Sequence, residues 1–103
     1  MYYGLINSMN KTVSGYPINL KVYLDSGNTL SYSGSGINWY DLTTNTNNAT
    51  LINGVGFDSA NRGSLTFNGT NQYCSITNVT DIRLGNSDFY IGQFVNFFNY
   101  TRQ

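Results

Sequence analysis

The sequence predicts an all-β fold, an antiparallel sandwich or barrel, and three observations carry that expectation. No window sustains an apolar stripe at i, i+3, i+4 and i+7, because Gly, Asn and β-branched residues interrupt each one. Short runs of alternating apolar and polar residues recur at close spacing. Between them lie segments of Gly, Asn, Ser and Asp, which supply the backbone geometry of tight turns.

Residues 1–18 lack any alternation and read as an amino-terminal arm, ordered by contact with something else, so the β-sandwich is expected over 19–103. The first strand, 20–25, sets Leu20, Val22 and Leu24 against Lys21, Tyr23 and Asp25, one face buried and the other wet. A flexible turn, Ser33-Gly34-Ser35-Gly36, precedes a strand at 37–42 holding Trp39 and Tyr40. Adjacent strand residues face opposite ways, so one of that pair points inward; Trp39 is the expected core residue, its indole N–H needing a partner. A short strand follows at 49–52. Strands at 64–68 and 72–77 read as a hairpin about Asn68-Gly69-Thr70-Asn71, with Leu65, Phe67, Cys74 and Ile76 inward and Cys74 an inert, buried thiol. The last strand, 89–98, puts Phe89, Ile91, Val95 and Phe97 on one face and Tyr90, Phe94, Phe98 and the following Tyr100 on the other.

Composition narrows function. At 103 residues the chain is one domain with a thin core. Charged residues make up 10% of it and net charge is zero, with no basic cluster to neutralise phosphates, so neither nucleic acid nor an anionic membrane is expected as a partner. No stretch has the length of a membrane span, and the opening residues lack the basic and apolar regions of a secretory signal. Synthesis and assembly in a cytoplasm, or excision from a longer product, is the expectation. Five Asn-x-Ser/Thr triplets, at Asn10, Asn48, Asn68, Asn78 and Asn99, compare with about three expected by chance from sixteen Asn, so glycosylation carries little weight.

The stretch LKVYLDSGNTLSYSGSGINWYDLTTNTNNATLINGVGF, then GSLTFNGTNQYCSI and FYIGQFVNF, resembles the amino-terminal half of the laminin-G-like, concanavalin A-like jelly-roll domains found in structural proteins of tailed bacteriophages. Four segments carry the resemblance over about residues 20–96. They are a strand ending in Leu-Asp before Ser-Gly-Asn, a Ser-Tyr-x-Gly-Ser-Gly turn before Trp-x-Asp-Leu, an Asn-rich turn before Ala-Thr-Leu, and Phe-x-Gly-x-Asn-x-Tyr. The resemblance implies a partial antiparallel jelly roll, since full domains of that family are about twice as long.

Each candidate site has a structural and a functional reading. Relatives in that family often carry an acidic residue at one or both positions held here by Asn68 and Gln72. Two amides there weaken a calcium site, which prefers anionic oxygens, and favour scaffold. Asp25 and Asp41 could converge on a cation, but each is better read as bonding backbone N–H groups of its own turn. Trp39 and Tyr40 are the alternative, a stacking platform for a sugar ring. Catalysis is not expected: the chain has no His and no Glu, hence no Ser-His or Cys-His pairing, and it cannot match the glutamate-centred motif of glucanases that share the jelly roll. No metal and no cofactor is expected. The resemblance implies a non-enzymatic virion protein, a capsid decoration or a tail or fibre component. Its assembly surface would be Tyr90, Phe94, Phe98 and Tyr100, where the family has an aromatic at the Phe94 position covered by strands this chain lacks. Expected partners are other virion proteins, in a homo-oligomer or a capsid or tail lattice. The alternative is a lectin-like module for host-surface glycan.

Overall fold

The computed structural model describes residues 20–77, 80–83, 85–86 and 88–96. The arm at 1–18, the triplets at Asn10, Asn78 and Asn99, and Phe97, Phe98 and Tyr100 lie outside the described residues.

Among the described residues five short strands form: β1 (Asn38–Trp39), β2 (Ala49–Ile52), β3 (Gly56–Asp58), β4 (Ser64–Thr66) and β5 (Tyr73–Ile76). They make two antiparallel sheets, one of three strands in the order β1-β2-β5 and one of two, β3-β4. Among the described residues the only helical element is a 3-10 turn at Ala60–Arg62, so the fold is all-β. The centre is β2, where period-two geometry buries Ala49 and Leu51 and leaves Thr50 and Ile52 half-buried. Its register is Trp39↔Ala49 on one side and Leu51↔Cys74 on the other.

The expected hairpin at 63–76 is corrected. β4 pairs with β3 and β5 pairs with β2, so the two runs belong to different sheets, and the Asn68–Asn71 turn carries the chain between them. The outward crossing is at Asn53-Gly54, both at positive φ (66° and 74°), the geometry an Asn-Gly turn favours. Side chains lace the two crossings together. Gln72 Nε2 donates to the carbonyls of Asn53 (3.1 Å) and Gly54 (2.7 Å), and Asn53 Nδ2 donates to the Asn71 carbonyl (2.6 Å). Of the four residues expected inward, Leu65 and Ile76 are half-buried while Phe67 and Cys74 are exposed. Cys74 is a free, exposed thiol, not a buried one; it sits on β5, at the edge of the three-stranded sheet and opposite Leu51 of the central strand, and an edge position has a neighbouring strand on one side only.

The run 20–25 forms no strand ladder, and the reason is chemical. Its main chain is held largely by side chains and isolated bonds from the 41–47 loop. Asn45 Nδ2 donates to the carbonyls of Leu20 (2.9 Å) and Lys21 (3.1 Å), Asn47 Nδ2 to that of Lys21 (2.9 Å), and the Leu42 N–H to that of Tyr23 (2.8 Å). Amides have taken the place of a partner strand. The strand expected at 89–98 is also absent from its described part, since 88–96 has no strand pairing.

Among the described residues four apolar ones are buried (Tyr32, Leu42, Ala49 and Leu51) and so are four polar ones (Ser31, Asp41, Thr43 and Asn47). With apolar burial this small, satisfied buried hydrogen bonds carry an unusual share of the fold's specificity. Ser31 shows how: its hydroxyl donates to the Tyr40 carbonyl (2.6 Å) and accepts from the Asp25 N–H (3.0 Å), pinning the 25–31 turn to the residue after β1. Tyr32 meets Phe57 of β3 with ring centroids 5.3 Å apart and planes tilted by 58°, a favourable aromatic arrangement. Gly63 permits the close approach below that ring: its φ is 105°, and a Cβ there would lie 2.9 Å from Phe57 and 3.0 Å from the Ser26 carbonyl.

Candidate functional site

Asp41, the second residue after β1, is the most heavily bonded buried side chain among the described residues. Its Oδ1 accepts from the N–H groups of Tyr23 (2.8 Å) and Thr43 (3.0 Å). Its Oδ2 accepts from the Thr43 hydroxyl (2.7 Å) and the Asn47 N–H (2.9 Å). Two of these donors belong to its own turn, as the Asp-x-Thr spacing favours; the Tyr23 N–H comes from eighteen residues away. Asn47 extends the network through Nδ2, which donates to Asp81 Oδ2 (2.6 Å), while the Lys21 ammonium lies 3.3 Å from Asp81 Oδ1. Asn47 Oδ1 is buried with no hydrogen-bond partner among the described residues.

The Asn47 hydrogen bond first, and the Lys21 hydrogen bond and charge after it, hold the Asp81 carboxyl below its ordinary pKa. A carboxylate whose pKa is lower folded than unfolded stabilises the fold fully above the ordinary value and loses that contribution as pH falls through the lowered one. Melting temperature should therefore drop as pH is taken from about 5 to about 3. Asp81→Asn should flatten part of that slope; an unchanged slope would mean that Asp81 is not coupled to folding.

The geometry does not bring Asp25 and Asp41 to a shared cation. Asp25 Oδ1 accepts the Gly27 N–H (2.9 Å) in its own turn, and each Asp41 carboxylate oxygen already accepts two hydrogen bonds. Among the described residues no group of three or more His, Cys, Asp or Glu side chains could hold a metal ion. Asn68 and Gln72 are likewise engaged. Asn68 Oδ1 accepts the N–H groups of Thr70 (2.9 Å), Asn71 (3.2 Å) and Gln72 (3.3 Å), and Gln72 Oε1 accepts the Asn68 N–H (2.8 Å). Calorimetric titration with calcium is expected to show no heat, and a dissociation constant below about 10 μM would contradict this and point to Asp25 and Asp41 as ligands.

Trp39 and Tyr40 do not form a joint platform: Trp39 is half-buried, with an indole nitrogen that is buried and unpartnered among the described residues, and Tyr40 is exposed. A different surface stands out. Phe89, Tyr90, Ile91, Phe94 and Val95 are all exposed, Tyr90 at 91% and Phe94 at 107% of the reference surface, in a segment without hydrogen bonds to the described residues. Tyr90 and Phe94, two of the four aromatics expected at an assembly surface, are thus uncovered; Phe98 and Tyr100 lie outside the described residues. Asn47, Asp81 and Ser31 were missed from sequence. The Asp-x-Thr spacing marks the turn, but nothing local signals a bond across thirty-four residues, as between Asn47 and Asp81.

No protein-family model matches the chain, and no curated protein or solved structure matches it.

Proposed function

We propose that this chain is a non-enzymatic structural component of a virion, a capsid decoration protein or part of a tail or fibre, that works by assembly with other protein chains. The observation that carries the proposal is the 88–96 segment, in which five large apolar side chains are exposed together. Large apolar side chains exposed at this density within nine residues favour a contact with another protein chain. The resemblance of residues 20–96 to phage jelly-roll domains supplies the setting. In this reading the two sheets are the amino-terminal portion of a jelly roll, and strands from elsewhere close them. Low charge supports packing at high local density, since neighbouring copies do not repel one another.

The lectin-like alternative needs an aromatic platform beside polar groups in a groove, and Trp39 and Tyr40 do not share a face. A glycan array on the purified chain separates the two readings. Structural assembly predicts no glycan bound at millimolar concentration, whereas selective binding at that strength or tighter, lost in Tyr40→Ala, would establish the lectin.

A further inference from the structure

We infer that Asn53 is a site of spontaneous deamidation and isoaspartate formation, and that the fold protects the chain's other Asn-Gly pair, Asn68-Gly69, from the same reaction. The reaction needs a backbone N–H free to attack the side-chain amide, a following residue without a Cβ to obstruct it, and a side chain that can swing toward it. Both pairs have the glycine; the fold separates them by the third requirement. Asn53 is exposed, its amide is held by one hydrogen bond, from Nδ2 to the Asn71 carbonyl, and the Gly54 N–H has no acceptor among the described residues. Asn68 is held by four. Its Oδ1 accepts three backbone N–H groups and its Nδ2 donates to Asn71 Oδ1 (2.9 Å), so turning its Cγ toward Gly69 breaks the whole turn.

In the step itself the Gly54 backbone nitrogen bonds to Asn53 Cγ, and the bond from Cγ to Nδ2 breaks. The side-chain nitrogen leaves as ammonia, carrying the proton lost from the Gly54 N–H, and a five-membered succinimide remains. Water then opens either carbonyl–nitrogen bond, giving aspartate or, with the main chain lengthened by one methylene, isoaspartate. Nothing is oxidised or reduced. The consequence is local and specific. The Asn53 donor to Asn71 is lost, the carbonyls of Asn53 and Gly54 that receive Gln72 are displaced, and one negative charge is added to a chain whose net charge is zero. The two crossings between the sheets come unlaced.

The test is to incubate the purified full chain at about pH 8 and 37 °C, where thermolabile Asn reacts, and to follow both sites by peptide mass mapping and by enzymatic methylation of isoaspartate. A parallel sample is held in urea. Folded, Asn53 should convert at least about tenfold faster than Asn68; in urea the two rates should converge, because hydrogen bonds rather than neighbouring residues set the difference. The isolated isoaspartyl-53 product should show faster amide exchange across residues 68–72 than the unmodified chain. Equal folded rates, faster conversion at Asn68, or a rate difference that persists in urea would overturn the inference.

Discussion

Asp41→Ala should strongly destabilise the domain. The substitution removes the acceptor of four hydrogen bonds at once, and three of those donors, the N–H and hydroxyl of Thr43 and the N–H of Asn47, belong to buried residues. A buried donor left without a partner costs about 1–3 kcal/mol. A loss of about 3 kcal/mol or more is therefore expected, against a total of about 5–15 kcal/mol for a domain of this length. Asp41→Asn should also be damaging, because its NH2 group would face donors on one side. Asp25→Ala is the comparison. Asp25 Oδ1 accepts a single turn N–H in a half-buried setting, so about 1 kcal/mol is expected there. Urea midpoints at one fixed protein concentration decide the matter; an Asp41→Ala cost no larger than that of Asp25→Ala would remove Asp41 from the centre of the fold.

Phe94→Asp should abolish assembly while leaving the folded chain intact. Phe94 touches so little of its own chain that its loss changes no packing within the domain. In a contact with another chain, burying that ring contributes about 1.5–3 kcal/mol, and a carboxylate in its place either neutralises at a cost or prevents docking. Tyr90→Ser should act in the same direction. Asn71→Asp, at the crossing between sheets, should be nearly silent, since an aspartate keeps the acceptor that receives Asn68 Nδ2. If the proposed virion role holds, incorporation into the particle should be lost for Phe94→Asp and kept for Asn71→Asp at equal circular dichroism.

Local chemistry in the sequence located much of the fold. The Ala49–Ile52 strand and the core of 72–77 were legible because period-two alternation and turn residues act over a few positions. So was the role of Asp25 and Asp41 in their own turns. Pairing was not legible. Two alternating runs joined by Asn-Gly read as a hairpin, yet β4 and β5 belong to separate sheets, a choice made by β2 and β3 upstream. β3 itself, three residues beginning with glycine, gives no propensity signal. The run 20–25 has the right alternation for a strand, but the side chains of Asn45 and Asn47 hold its carbonyls instead. Cys74 follows the same rule: alternation sets its face, while its exposure follows from its place on the edge strand β5, which the sequence does not signal.

Exposed aromatics at 88–96 are central to the functional account, and sedimentation velocity of the isolated chain tests that account most directly. The wild-type chain should sediment as oligomers whose mean mass rises with concentration, and Phe94→Asp should return it to a monomer with an unchanged circular dichroism spectrum. A wild-type monomer at every concentration, with a sharp cooperative melt and no change on Phe94→Asp, would contradict assembly through this segment.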